Sequence, residues 1–325
     1  MLDKTPVTHQ DITSDQIGGL VDKIDQALQE VEIEPKVKRK INYIKKNWPQ
    51  KVKQYEEQNK ELGDRNSMSK TDKDATFMRM KEDHMQNGQL KPAYNTQIST
   101  EDGYITNYSV HQTPTDTTTY AQHMDAFNDL HGHYPKESIA DAGYGSEENY
   151  LFAKEKGIIP FIKYNYFHKE QTKKWRNDPF KSSNFHLGKE KDCCYCPMGQ
   201  QMDKIGEKTI KTKTGFVQTA SLYRAKRCTH CPLRGLCHDS EGECIIQVNH
   251  RLNDLKRWAK QLLMSEEGLK HRSQRPADVE QTFANLKANK GFKRFLLRGM
   301  KKVEIEFGLL CISHNLAKYA VSLAK

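Results

Sequence analysis

The sequence is poor in long apolar runs. Nowhere in its 325 residues do about 18 apolar side chains follow one another, so no segment is built to span a bilayer as a helix. The opening MLDKTPVTHQDIT has neither the basic start nor the apolar stretch of a secretory signal, which predicts a cytoplasmic chain. Hydrophobic residues make up only 36% and mean hydropathy is −0.87. One sizeable core with much solvated helix is therefore expected. Internal repeats are absent, which excludes stacked repeat architectures. Tryptophan is scarce: Trp48, Trp175 and Trp258 read as packing anchors rather than a base-stacking platform. Acids are outnumbered, 42 against 52 Lys and Arg, giving a net charge of +10. Such an excess suits a polyanionic partner, because Lys and Arg release phosphate counterions on binding, although a soluble basic surface explains it as well.

What is present divides into four stretches, at 1–66, 67–165, 166–250 and 251–325. The first predicts a charged, antiparallel helical hairpin. Ser14 and Asp15 form a start signal, and Ile17, Leu20, Val21, Ile24, Leu28 and Val31 recur at helical spacing. Pro35 breaks the chain; Val37, Ile41, Ile44 and Trp48 form a second stripe, and Pro49 precedes another short helix. From about residue 92 the pattern alternates. Tyr94, Thr96 and Ile98, the turn signal Asp102–Gly103, then Tyr104, Thr106, Tyr108 and Val110 predict a hairpin. A helix opened by Pro114 and Thr117 runs to Leu130. A strand ends at Asp141, a helix capped by Ser146 follows, and Ile158 to Tyr164 is a strand. This order predicts an α/β core. Helices return from 251, with Pro276 opening one that runs to about Lys290 and a last apolar helix from Val303 to Leu323.

Three constellations carry chemistry. Asp141, at a predicted strand end and followed by Gly143 and Gly145, stands where α/β folds meet ligands and metals; it serves equally well as a turn cap. Glu280 lies on the helix whose Val279, Phe283 and Leu286 face inward, with Lys287 two turns on. Between Lys270 and Lys302 stand ten Lys or Arg, against two acids: a solvated face, or a surface for phosphates. Seven of the eight cysteines fall in 166–250. Cys196, in Cys-Pro-Met-Gly, and Cys228-x2-Cys231-x5-Cys237 have the makings of a structural zinc site, with His230 or Cys194 as substitutes. Small buried or free thiols are the alternative, and Cys311 on the last helix reads as core. His84, His111 and His250 are given no catalytic role.

Together, Ala140-Asp141-Ala142-Gly143-Tyr144-Gly145-Ser146, Glu280 with Lys287, Arg298-Gly299, the segment 72–81 and the segment 91–97 resemble the DDE transposases of bacterial insertion sequences, nearest to the insertion sequence eleven-eighty-two group. The resemblance covers most of the chain and reads as the C-terminal portion of such an enzyme. It implies an RNase H-like core interrupted by the cysteine-rich insertion. It also implies two Mg²⁺ ions held by acids, here Asp141 and Glu280, for DNA cleavage and strand transfer. Arg275, Lys287, Lys290, Lys293, Arg294 and Arg298 would contact DNA. The implied partners are double-stranded DNA, as element ends and target, and further copies of the chain. The pattern is departed from at Ser273 and Pro276, seven and four residues before Glu280, with Arg275 one step off the expected arginine. The family's first Asp finds no counterpart strand, so the reading expects a truncated or split product; Asp72 and Asp74 are the substitutes. The rival expectations are a zinc-containing DNA-binding relic without catalysis, and a nuclease of the same fold.

Overall fold

The computed structural model describes residues 14–28, 34–80, 88–188 and 190–324; Val31, Lys81 and His84 lie outside the described residues. Two compact units result, residues 1–93 and 94–325.

In the first unit, helices α1 (Ser14–Leu28) and α2 (Pro35–Leu62) touch each other, Ile24 meeting Ile41 and Ile44. Pro35 opens α2, as expected. Pro49 does not restart it but sits inside the 28-residue helix. A proline deletes only one backbone hydrogen bond there, and the Lys, Gln and Glu around it are good helix formers. No α2 residue is buried. Leu20, Ile24, Val37 and Trp48 are all exposed, so Trp48 anchors no core. Strands β1 (Thr76–Arg79) and β2 (Leu90–Ala93) pair antiparallel. Just before them, the Asp72 carboxylate accepts from the Asp74 N–H at 3.3 Å, a local turn contact.

The second unit begins with the expected hairpin, β3 (Asn95–Glu101) and β4 (Tyr104–His111). Asp102 and Gly103 between them both have positive φ, 50° and 74°, the tight-turn geometry that Asp-Gly favours. Helix α3 (Tyr120–His131) starts later than expected, after a 3₁₀ turn at Asp116–Thr118. Strand β5 (Glu137–Gly145), helix α4 (Glu147–Glu155) and strand β6 (Ile159–Tyr164) follow, with β5 and β6 parallel. The Ser146 hydroxyl accepts from the Asn149 N–H and caps α4. After a short helix α5 (Lys173–Arg176), strands β7 (His186–Gly188), β8 (Cys193–Tyr195), β9 (Gln201–Lys211), β10 (Val217–Arg224) and β11 (Ile245–Val248) form one antiparallel sheet in chain order. A one-turn helix α6 (Arg234–Cys237) lies between β10 and β11.

Helix α7 (His250–Met264) is capped by Asn249 and α8 (Glu266–Arg275) by Ser265. The helix expected to open at Pro276 actually continues from α8. Residues Pro276–Glu280 and Asn285–Asn289 are π-helical, flanking the single turn α9 (Gln281–Ala284). The Gln281 N–H reaches back five residues to the Pro276 carbonyl, and wider turns of this kind absorb a residue that the α-helical ladder does not fit. They also shift the angle between Glu280 and Lys287, which 3.6-residue spacing had set at two turns. Helix α10 (Met300–Leu323) closes the unit.

Three cores hold it together. Tyr150, Phe161, Ile162, Phe167, Ala259 and Leu263 centre the one between β5–β6, α4 and α7. Leu286, Phe307 and Cys311 pack on Ile105 of β4 in another, so Cys311 is core as expected. The third, at the cysteine end of the five-stranded sheet, holds Met202, Tyr223, Cys194, Cys228 and Cys244. Helix α10 presses on β4 so tightly that a Cβ on Gly308 would stand 2.3 Å from the Tyr108 hydroxyl. Its other side, with Ile305, Leu309, Ile312, Leu316, Tyr319 and Leu323, is exposed. No helix among the described residues is long and apolar enough to cross a membrane.

Candidate active site

Asp141 lies inside β5, which runs on to Gly145, rather than at the strand's end, and its position comes from a break in the ladder. Pairing with β6 is regular to Ala140↔Ile162 and resumes only at Gly145↔Tyr164. Residues 141–144 thus oppose Lys163 alone, a wide bulge of the sort that re-aims side chains beside functional sites. The glycines allow it by close approach rather than by a turn. A Cβ on Gly145 would lie 2.2 Å from the Lys163 carbonyl, and one on Gly143 would lie 3.1 Å from Asp141 Oδ1.

The bulge is tied down from several sides. Asp141 Oδ1 accepts from the Gly143 N–H at 2.9 Å. The Thr117 hydroxyl donates to the Gly143 carbonyl at 2.9 Å, and the Asn149 amide donates to the carbonyls of Tyr144 and Thr117. The Tyr144 hydroxyl donates to Gln97 on β3. Asn95 and Gln97 in turn donate to Asp116 Oδ1 at 2.9 and 3.1 Å. The other Asp116 oxygen would be 3.3 Å from a Gly143 Cβ, so a second carboxylate stands beside Asp141. Burial first, then the charges of Asp116 and Asp141, push the Tyr144 phenol well above its ordinary value.

Glu280 is brought to the same place through Arg275. The guanidinium lies 3.6 Å from Asp141 Oδ2 and 3.4 Å from Glu280 Oε1. Arg275 is only 17% exposed, whereas Asp141 and Glu280 are 43% and 65% exposed. The cation is thus enclosed, and both acids keep open faces. Lys163 joins them: burial, then Arg275 and Arg272, lower its pKa, while Asp141 and Glu280 oppose the shift. Asp141 and Glu280, 139 residues apart in sequence, therefore share one neighbourhood. Sequence reasoning missed Asp116 and Lys163; the chain offers no spacing that would have found either.

The basic run splits into two settings. Lys287 is exposed on the second π segment, whereas Lys290 through Arg298 lie on the loop before α10. Phe295 makes edge contacts with Phe292 and Phe307, and Phe292 packs tilted against Phe307, which together pin that loop. Glu306 accepts the N–H groups of Leu296 and Leu297. Lys293, Arg294 and Arg298 are left exposed, and Lys290 donates to the Ser313 hydroxyl at 2.9 Å. Arg275, expected to reach DNA, lies beside the two acids Asp141 and Glu280.

Cys196, Cys228, Cys231 and Cys237 line one cavity, with Cys244 and His238. Cys194, one expected substitute, is fully buried on β8 in the cluster that holds Cys228 and Cys244 and does not line the cavity, and His230 is exposed and absent from the lining. A further cluster was not foreseen: Glu137, Glu267 and His271 bring ligand atoms within 4.8 Å of one another, with His271 Nε2 3.0 Å from Glu137. His250, given no catalytic role, bonds the Tyr223 hydroxyl at 2.9 Å.

No curated protein and no solved structure matches the chain. The stretch 195–320 matches the family model described as the transposase DDE domain, and the part of the chain holding the cysteine cavity, Arg275, Glu280 and the basic loop is therefore similar to that domain.

Proposed function

We propose that the chain acts in DNA transposition, as a DDE transposase whose RNase H-like second unit cleaves DNA at the ends of an insertion sequence and transfers the strand. The observation that carries this is Arg275 bridging Asp141 and Glu280. It shows two distant acids converging on one positive charge beside a family-matched segment. Partly exposed carboxylates of this kind suit a hard divalent cation such as Mg²⁺. Asp141 and Glu280 are the residues that would hold it, and when bound it would supply the activation of an attacking oxygen and the stabilisation of a leaving one.

The chain's own residues do the rest. The bonds from Thr117, Asn149 and Gln97 fix the bulge and hold Asp141 in place before substrate arrives. Asp116 acts as a positioning residue, through Asn95 and Gln97. Lys163 and Arg275 keep positive charge beside the acids, where phosphate would otherwise be repelled. Lys287, Lys293, Arg294 and Arg298 offer the duplex contacts that set affinity without reading sequence.

A second reading, a DNA-binding relic without catalysis, draws on the same contact, since Arg275 already neutralises both acids in part. Asp141→Asn and Glu280→Gln separate the two. On the transposase reading, each lowers Mn²⁺ binding, followed by electron paramagnetic resonance. Each also lowers Mg²⁺-dependent nicking of supercoiled plasmid by more than the roughly 10–100-fold typical of losing an outer-shell partner, while DNA affinity barely changes. Equal Mn²⁺ binding by the unaltered protein and the double variant sinks the proposal.

A further inference from the structure

The cysteine end of the five-stranded sheet has a core that is short of hydrocarbon. Its buried members are Met202, Tyr223, Ala225, Val248, Cys194, Cys228 and Cys244, among which only Met202, Tyr223 and Val248 bring sizeable apolar surface. A core this small ordinarily needs a staple. Beside it, four cysteines sit on tight turns converging on one cavity. Cys196 heads a turn closed by the Gly199 N–H to the Cys196 carbonyl at 2.8 Å, with Gly199 at φ +75°. Cys228 heads a second turn, closed by the Cys231 N–H to the Cys228 carbonyl at 3.2 Å. Cys237 ends the one-turn helix, its N–H on the Leu233 carbonyl. The Gln200 side chain donates to the Arg227 carbonyl at 3.2 Å and links the first turn to the second.

We propose that Cys196, Cys228, Cys231 and Cys237 bind one structural Zn²⁺ ion as four thiolates, closing the cavity and stapling the β8–β9 turn to the segment between β10 and β11. Three sulfurs from two tight turns and a fourth from the end of α6 make up the donor set that tetrahedral zinc selects. Each thiol gives its proton to solvent as its sulfur bonds to zinc. Cys244 also lines the cavity, but its backbone continues the sheet, with its carbonyl accepting from the Ala225 N–H at 3.0 Å. Its N–H points to the Cys228 sulfur at 3.4 Å, the outer hydrogen bond that steadies a thiolate ligand. Cys244 is thus a positioning residue, not a ligand. No three of these sulfurs gather within 4.8 Å among the described residues, so binding requires rotation of side chains that the turns already aim inward. The inference stands apart from the proposed chemistry at Asp141 and Glu280.

The test uses the full chain purified without chelator. Elemental analysis should find one zinc per chain, released on titrating the thiols with an organomercurial. Cobalt exchanged for zinc should show the absorption bands of a tetrahedral thiolate site. Cys231→Ser should lose zinc, whereas Cys244→Ser and Cys194→Ser should keep it. Because a ligand variant may fail to fold, the cobalt spectrum of the unaltered protein is decisive by itself. Absence of both zinc and the cobalt bands, or an iron chromophore in their place, overturns the proposal. So does zinc loss in Cys244→Ser with retention in Cys231→Ser.

Discussion

Acidifying the protein should loosen the hairpin that positions the site, and one imidazole should dominate the effect. His123 on α3 is 6% exposed. Its ring nitrogens are bonded to the hydroxyls of Ser99 on β3 and Ser109 on β4, at 2.8 and 2.7 Å. Burial first, then nearby His111, lower its pKa from 6.5 to about 4. Above pH 6.5 both folded and unfolded chains carry a neutral ring, and the stability is fully present. Between 6.5 and 4 the unfolded chain takes up a proton that the folded chain refuses, so stability falls as pH falls. At 1.36 kcal/mol per pH unit the loss is about 3 kcal/mol by pH 4. His111, also lowered by burial, adds to it in the same direction. The assay is urea denaturation at pH 7, 5.5 and 4.5, comparing the unaltered chain with His123→Gln, which keeps a polar group but cannot titrate. Carboxylates contribute equally to both proteins, so the difference isolates the ring. Parallel stability profiles in the two proteins would refute the reasoning.

Three further outcomes are set by local geometry. Gly145→Ala drives a Cβ against the Lys163 carbonyl and Tyr164 Cα, backbone atoms that have no rotamer to escape into; it should cost about 1–3 kcal/mol by thermal denaturation. Gly242→Ala, where nothing lies within 4 Å, should be close to neutral in the same assay. Replacing Lys293 and Arg294 together by Ala should weaken binding to DNA of any sequence and reduce the log–log salt slope by about two, as fluorescence anisotropy would read it. An unchanged slope would mean that the loop does not touch phosphate.

Local chemistry was legible where one residue type dictates one geometry. Asp102–Gly103 announces its turn and Ser146 its cap. Non-local effects were not legible. That β5 carries Asp141 inside a bulge depends on how closely Gly145 meets Lys163, and no pattern within residues 137–145 encodes that approach. The run through Pro276 reads as a helix start because proline favours that position, yet α8 carries straight into it through widened turns. The five-stranded sheet was invisible for another reason. Its long strand, Gln201–Lys211, is largely exposed, so the alternation that betrays a half-buried strand is missing. Convergence of Asp141 and Glu280 was expected only through resemblance; that an arginine joins them came from the three-dimensional arrangement.

The outward ridge of α10 bears on how the molecule behaves in a tube. Ile305, Leu309, Ile312, Leu316, Tyr319 and Leu323 are all solvent-facing and succeed one another at alternating intervals of four and three, the repeat of a left-handed two-helix seam. Water wets such a strip poorly, and ridges of this kind stick to whatever oil-like surface is offered. Glutamate at Leu309 and Leu316 would make the chain easier to concentrate, and it would leave untouched the opposite flank, where Phe307 and Cys311 meet the hairpin.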